Sequence, residues 1–293
     1  MNQEVLDWKN SGAFFRYKEF ETFYFQVGNG EDLFILHGYP YSSFEWKNTI
    51  EKLSKKYRIT GIDLLGMGFS DKPENHNYNF PNQCEIIDAL LKKLNITKTH
   101  FFSHDLGVSV VQELIAREQE SKNSFKILSS AFMNGGLFMD VYRPRLIQRL
   151  LSQTPKFIGK IFTKLLNKKS VESSVLKVFG EKTKPSSEFL DIQWDILNYN
   201  QGLRVAHLIG RMVFDKNLFQ KRWIEAMQTT KIPLCYICGP ADPNSGIHMA
   251  NRYKELIPNP QIFILQEDIG HWPQLEDEKG VLEAYEQFRN KIS

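Results

Sequence analysis

The sequence predicts an α/β domain with a mostly parallel central sheet, helices on both faces and an inserted helical block. Three observations predict it. Strand-like and helix-like segments alternate over the first 140 residues, the alternation stops over residues 141–228, and it resumes at Ile232. Such alternation is the pattern of parallel strands joined by helical crossovers.

The elements follow in order. Phe20 to Val27 is aromatic and rich in β-formers, and Asn29-Gly30 separates it from Leu33-Phe-Ile-Leu36. Asn-Gly between two such runs predicts a hairpin. Tyr57 to Ile62 reads as the next strand. Residues Asn82 to Leu94 place Ile86, Ile87, Leu90, Leu91 and Leu94 at helical spacing, which predicts one buried face. His100 to Ser103 is a short strand, Val108 to Arg117 a helix and Ile127 to Met133 a strand. From Val141 to Gln228 only helical patterns occur, punctuated by Pro144, Pro155 and Pro185. Ile232 to Cys238 and Gln261 to Leu265 are the last strands, and Gly280 to Lys291 the last helix. The domain organisation expected is a core of residues 1–140 and 229–293 with a helical cap over 141–228.

Bulk properties narrow the field. With 293 residues and 42% hydrophobic content, the chain can build one large domain, or one domain with an insertion. A net charge of +3 gives no reason to expect nucleic acid as the main partner. Three cysteines make no disulfide framework. Cys235 and Cys238 have C-x-x-C spacing, but on a strand they point to opposite faces, so no redox or metal role is expected. No apolar run reaches the ~20 residues of a membrane helix. The first residues, Met1 to Trp8, lack a basic segment followed by an apolar one. The expectation is a soluble protein of a reducing compartment, its localisation cytoplasmic or unknown, with no signal peptide or transmembrane segment.

The chemistry gathers around Ser103-His104-Asp105-Leu106-Gly107, between a strand and a helix. A nucleophile elbow has the form small-x-nucleophile-x-small, because its sharp turn crowds the residues two before and two after the nucleophile. Ser103 and Gly107 fit that form around Asp105. Backbone N–H groups at the start of the helix favour negative charge there. An acid and a histidine follow in the chain order the elbow architecture uses. Gly239-Pro-Ala-Asp242-Pro243 leaves the next-to-last strand, and Gly270-His271-Trp272 follows the last. Upstream, His37-Gly38-Tyr39-Pro40 ends a strand in a tight turn. The N–H groups of Tyr39 and Leu106 are the expected oxyanion hole. The segment Asp63 to Pro73 contains Gly66-Met-Gly68. It lacks the third glycine of a dinucleotide fingerprint and the Lys-Ser/Thr of a P-loop, so no nucleotide cofactor is expected. No metal is expected either.

These motifs resemble the epoxide hydrolase and haloalkane dehalogenase branch of the α/β-hydrolases. From about Trp8 onward the chain is similar to one member group, the mesoderm-specific transcript proteins. The resemblance is carried by Trp8-Lys-Asn-Ser-Gly12, His37 to Pro40, Gly66-Met-Gly-Phe-Ser-Asp-Lys-Pro73 and Ser103 to Gly107. It extends to Asn134-Gly-Gly136, Arg143-Pro144, Gly239 to Pro243 and Pro273-Gln-Leu-Glu-Asp277. It implies the α/β-hydrolase fold with an Asp-His-Asp triad. Asn134 follows the strand where some family members keep the triad acid. It cannot ionise, so the acid is assigned to Asp242.

An aspartate nucleophile suits attack on an sp³ carbon, because a carboxylate is already ionised near neutral pH and its product is a hydrolysable ester. His271, oriented by Asp242, would then activate water. The leaving group stays open. Dehalogenases usually hold the halide with a Trp directly after the nucleophile and a second Trp or Asn. Here those positions are Leu106 and Tyr39, leaving Trp46, Trp194 and Trp223 as candidates. Epoxide hydrolases usually carry His-Gly-aromatic-Pro, which His37 to Pro40 matches, and two cap tyrosines as proton donors. Tyr142 and Tyr199 are the cap candidates, although the second family tyrosine aligns near Gly210-Arg211. His104 and Trp272, beside Asp105 and His271, are further candidates for proton donation or substrate contact. Epoxide opening ranks first, dehalogenation second, and ester or lactone cleavage third. A catalytically idle binding or regulatory protein is the reading of another class, and the intact Asp105, Asp242 and His271 weigh against it.

The stretch Arg145 to Lys169 interleaves Leu146, Leu150, Ile158, Ile161, Phe162 and Leu165 with Arg149, Lys156, Lys160, Lys164, Lys168 and Lys169. Its apolar side can pack over the site, which implies a small hydrophobic substrate alongside water. A basic amphipathic stretch can also make weak contact with an anionic membrane surface.

Overall fold

The computed structural model describes residues 1–292. The side chains of Ile147, Leu150, Leu151, Ser152, Lys156 and Phe157 lie outside the described residues. Eight strands form one sheet. They are β1 (Ala13–Tyr17), β2 (Phe20–Val27), β3 (Glu31–Leu36), β4 (Tyr57–Ile62), β5 (Lys98–His104), β6 (Lys126–Met133), β7 (Leu234–Cys238) and β8 (Gln261–Ile264). Their order is β1-β2-β4-β3-β5-β6-β7-β8. β1 and β2 pair antiparallel, as do β2 and β4, and all later pairs are parallel.

The hairpin expected at Asn29-Gly30 does not form. β4 lies between β2 and β3, paired with both. The turn instead passes over the start of β4. A Cβ on Gly28 would sit 2.3 Å from the Tyr57 carbonyl oxygen and 2.4 Å from that of Ser54. Turn chemistry reports a reversal of the chain, not which strand fills the gap. The antiparallel hairpin of this protein is β1–β2, whose first strand the periodicity did not reveal.

Alternation along the strands divides the core in two. Phe34, Leu36, Phe101, Phe132, Tyr236 and Cys238 face one side, where the helices Phe80–Lys93, Leu106–Gln119 and Ile247–Leu256 pack. Leu33, Ile35, Phe102, Met133, Cys235 and Ile237 face the other, against the helices Gln3–Ser11, Lys47–Leu53 and Glu278–Ile292. Cys235 and Cys238 thus belong to different cores, and all three cysteines are free and buried. The helix Leu106–Gln119 is buried without interruption from Leu106 to Ala116. The sheet covers one side of it and the helix Met212–Thr229 another.

Between β6 and β7 the described residues form helices and no strand. The helices are Leu146–Gln153, Lys156–Leu165, Lys168–Leu176, Ser187–Asn198, Leu203–Gly210 and Met212–Thr229. Pro155 separates the first two, where a missing N–H and a fixed φ favour a break. Asn167 and Ser186 cap the third and fourth, each accepting a backbone N–H at 3.1 Å. The apolar side of the basic stretch is divided. Ile158 and Phe162 are half-buried, whereas Leu146, Ile161 and Leu165 are 73%, 55% and 67% exposed. Leu150 and Lys156 fall among the side chains outside the description.

Candidate active site

Five loops leave the carboxyl ends of β3, β5, β6, β7 and β8 and meet at one place, the side on which open parallel sheets hold ligands. Asp105 stands between β5 and the helix Leu106–Gln119, with φ 47° and ψ −110°. An L-residue rarely adopts this conformation, which costs on the order of 1–3 kcal/mol and persists only when its surroundings enforce it. They do so here. A Cβ on Gly107 would lie 2.8 Å from the His37 carbonyl oxygen, and one on Gly38 would lie 2.6 Å from the Asp105 Cβ. Ser103 is fully buried. Small residues at these positions let the turn close.

The two carboxylate oxygens of Asp105 have different surroundings. Oδ1 accepts the Tyr39 N–H at 2.8 Å. Oδ2 lies 3.5 Å from His271 Nε2. Leu106 opens the helix at the same turn, so its N–H is one of the donors with no partner inside the helix. His271 Nδ1 donates to Asp242 Oδ2 at 2.9 Å. Asp242 is buried and saturated. Oδ2 also accepts from Ser245 Oγ at 2.7 Å and Asn134 Nδ2 at 3.0 Å, and Oδ1 accepts the Asn244 N–H at 2.8 Å.

These contacts set the protonation of the pair. Burial pushes the Asp242 carboxyl up, but the His271 charge and hydrogen bond, with those of Asn134 and Ser245, outweigh it and hold the group at about 2. Burial pushes His271 down. The Asp242 charge and hydrogen bond and the Asp105 charge outweigh it and raise the imidazole to about 9. Asp242 is therefore the ionised partner, and Asn134 serves it as a donor.

The remaining sequence candidates divide. Trp272 lines the cavity beside His271, with its indole N–H given to Glu45 at 3.2 Å. Tyr142 is buried beside the cavity and is not among its lining residues, with its hydroxyl hydrogen-bonded to the lining residues Asn244 and Gln148, within the field of Asp105. Burial pushes its pKa well up. His104 is corrected. It is fully buried behind the loop, with Nδ1 2.8 Å from Glu45 Oε1 and Nε2 2.7 Å from the His271 carbonyl oxygen. It supports the His271 loop and does not face the cavity. Tyr199 is also corrected. Its ring packs on Phe69 at 5.0 Å beneath Lys9 and Lys72, and it does not line the cavity. The helix break at Tyr199–Gln201, where Asn200 has φ 47°, turns it that way.

Several neighbours of the site were not expected. Glu45 is buried in the short turn Ser43–Trp46 and accepts from the Gly38 N–H at 3.1 Å. Lys216 is buried with Nζ 5.4 Å from the Tyr142 ring centre, and burial pulls its pKa down to about 8. Isolated in sequence, a Glu in a turn and a Lys in a helix read as surface residues. The cavity has a volume of about 470 Å³ and lies between the helical block and the loops. Tyr39, Arg145, Val175, Leu203, His271 and Trp272 are among its lining residues. Among the described residues, no cluster of His, Cys, Asp and Glu could hold a metal ion, and no helix is long and apolar enough to cross a membrane.

Fold and loops together define a class: a mostly parallel α/β sheet with helices on both faces and a sharp, strained strand-to-helix turn at Asp105. The chain belongs to the α/β-hydrolase fold family, whose profile matches residues 33–278, and it is a hydrolase of that fold. Across its full length it is 36% identical to the mesoderm-specific transcript homolog protein of Bos taurus, covering 90% of that protein. Two solved structures share its fold. Epoxide hydrolase CorEH superposes with a TM-score of 0.79 at 16% identity, over 96% of this chain and 99% of that one. A loop variant of haloalkane dehalogenase DbeA-M1 from Bradyrhizobium elkanii gives a TM-score of 0.78 at 19% identity, over 96% and 97%.

Proposed function

We propose that the protein hydrolyses a small hydrophobic epoxide through a covalent ester on Asp105. One observation carries this reading: the asymmetric setting of the Asp105 carboxylate, with Oδ1 on the Tyr39 N–H and Oδ2 facing His271. Oδ2 attacks an sp³ ring carbon and the ring C–O bond breaks. Tyr142 supplies a proton to the departing oxygen, which stays in the molecule as a hydroxyl. In the second step His271 takes a proton from water, and the water oxygen attacks the Asp105 carbonyl carbon. Charge develops on Oδ1, between the N–H groups of Tyr39 and Leu106. Collapse breaks the bond from that carbon to Oδ2, His271 returns its proton to that oxygen and a diol leaves, while the second water proton, left on the Asp105 carboxyl, passes to the Tyr142 phenolate and restores both groups.

Halide release has less support. The Trp223 indole N–H is committed to Glu113 at 2.8 Å, and that of Trp272 to Glu45. Trp46 is buried in the core on the other face of the sheet, and Trp194 does not line the cavity. An idle site has less support as well, since the strained Asp105 is retained with His271 Nε2 3.5 Å away and His271 itself hydrogen-bonded to Asp242.

The test is to trap the ester. His271→Gln should accumulate an adduct on Asp105 with a terminal alkyl epoxide, read by intact mass and peptide mapping. In heavy-oxygen water, one turnover of the unmodified enzyme should label Asp105 and leave the first diol unlabelled. Release of halide from an alkyl bromide with no adduct from any epoxide would favour dehalogenation. No adduct from either substrate would overturn the covalent mechanism.

We propose in addition that the cap makes weak contact with an anionic lipid surface. Leu146, Ile161 and Leu165 are exposed beside Lys164 and Lys169, and Leu146 also lines the cavity.

A further inference from the structure

The charge lining the cavity is one-sided. Three side chains with basic nitrogens line it, Arg145, Lys177 and His271, and no Asp or Glu is among the lining residues; Asp105 adjoins the cavity through its contacts with Tyr39 and His271. His271 is committed to Asp242, and Lys177 is exposed at the cavity wall. Arg145 differs from both. It is half-buried, and its guanidinium makes two hydrogen bonds at 2.7 Å, to the carbonyl and the hydroxyl oxygen of Ser174. Both partners are neutral. Among the described residues no carboxylate lies within ion-pairing distance of it. The nearest acidic influence is the more distant Asp242, whose oxygens already accept four hydrogen bonds. Burial accordingly disfavours the Arg145 cation and pulls its pKa down.

A half-buried guanidinium held on one edge by neutral oxygens, with no further hydrogen bond to its planar fork among the described residues, is organised to receive an anion. A bound carboxylate would supply the missing counter-charge and two acceptor oxygens. The rest of the wall is chiefly apolar, with Leu166, Val171, Val175 and Leu203 accommodating a hydrocarbon chain. Resting on the hydrolase reading above, we propose that the substrate is an apolar chain ending in a carboxylate, and that Arg145 binds this carboxylate while the electrophilic carbon lies at Asp105.

The experiment separates binding from chemistry. Calorimetry would compare decanoate, decanamide and decyl phosphate on the wild-type protein, Arg145→Gln and Arg145→Lys, with thermal melts to confirm that each variant is folded. We expect decanoate to bind the wild type about tenfold or more tightly than decanamide, Arg145→Gln to erase that difference, and Arg145→Lys to keep part of it. Equal binding of acid and amide, or a preference that survives Arg145→Gln, would overturn the assignment. Decyl phosphate binding tighter than decanoate would overturn the choice of carboxylate. In parallel, turnover of a terminally epoxidised medium-chain fatty acid would be compared with that of its methyl ester. Arg145→Gln should raise KM for the acid alone, with kcat changed by less than about threefold. An acid preference in binding with no turnover of either epoxide would remove the epoxide-hydrolase reading and leave the anion site standing. Turnover of both without preference would do the reverse.

Discussion

At the scale of the residue, His271 poses a question of timing. Its imidazole is held at about 9, so near neutral pH it is mostly protonated in the free enzyme, yet the proposed second step needs it as a base. Asp105 is one of the charges that raise it, and ester formation removes that charge at the moment the base is required. We therefore expect Asp105→Asn to lower the His271 pKa, measured by NMR of the imidazole, and hydrolysis of the ester in single turnovers of the unmodified enzyme to quicken through an apparent pKa below about 9. A His271 pKa unchanged in Asp105→Asn would contradict this coupling. The same shift has a consequence for stability. A raised histidine stabilises the folded state fully below its ordinary 6.5, and that contribution is lost as pH rises through about 9. Asp242 acts at the other end. Its stabilisation is present above 3.8 and is lost as pH falls through about 2.

At the scale of the element, what could be read from the sequence followed the range of the interactions. The helix at Leu106–Gln119 and the strands flanking it announce themselves in local periodicity, and so does the elbow between them. The setting of Glu45 does not. Its partners His104 and Trp272 lie far along the chain, and only the sheet brings them together. Tyr199 failed for a related reason. It belongs to a helical segment, but a local break decides which way its ring turns. Among the described residues of the helical block, Leu146, Ile161 and Leu165 are exposed, as are Lys164 and Lys169. We expect the protein to co-sediment with liposomes containing anionic lipid and to be released as salt rises, because the attraction of exposed charges is screened. Substituting Leu146, Ile161 and Leu165 together by serine should abolish the binding while leaving the fold intact by circular dichroism. Absence of binding at low salt would refute contact through this face.

At the scale of the molecule, the presence of strands was legible and their order was not. Periodicity places β4 in the sequence, but its insertion between β2 and β3 is a choice among sheet partners that no local signal records. The proposed triad depends on that scale too. Asp242 and Asn134 come from the ends of adjacent parallel strands, and Asn134 Nδ2 lies 3.0 Å from Asp242 Oδ2. The loop after β6 is thus one hydrogen bond away from the group that orients His271. Asp242→Asn alone should cut kcat by a factor on the order of ten thousand by presenting the imidazole with the wrong partner. Exchanging the two residues, Asn134→Asp with Asp242→Asn, should recover at least part of that loss. No recovery in a folded double variant would show that only the β7 loop can carry the charge. Recovery would mean that the acid of this active site belongs to a pair of neighbouring strand ends, and that it can migrate between them in divergence while the histidine and the nucleophile stay where they are.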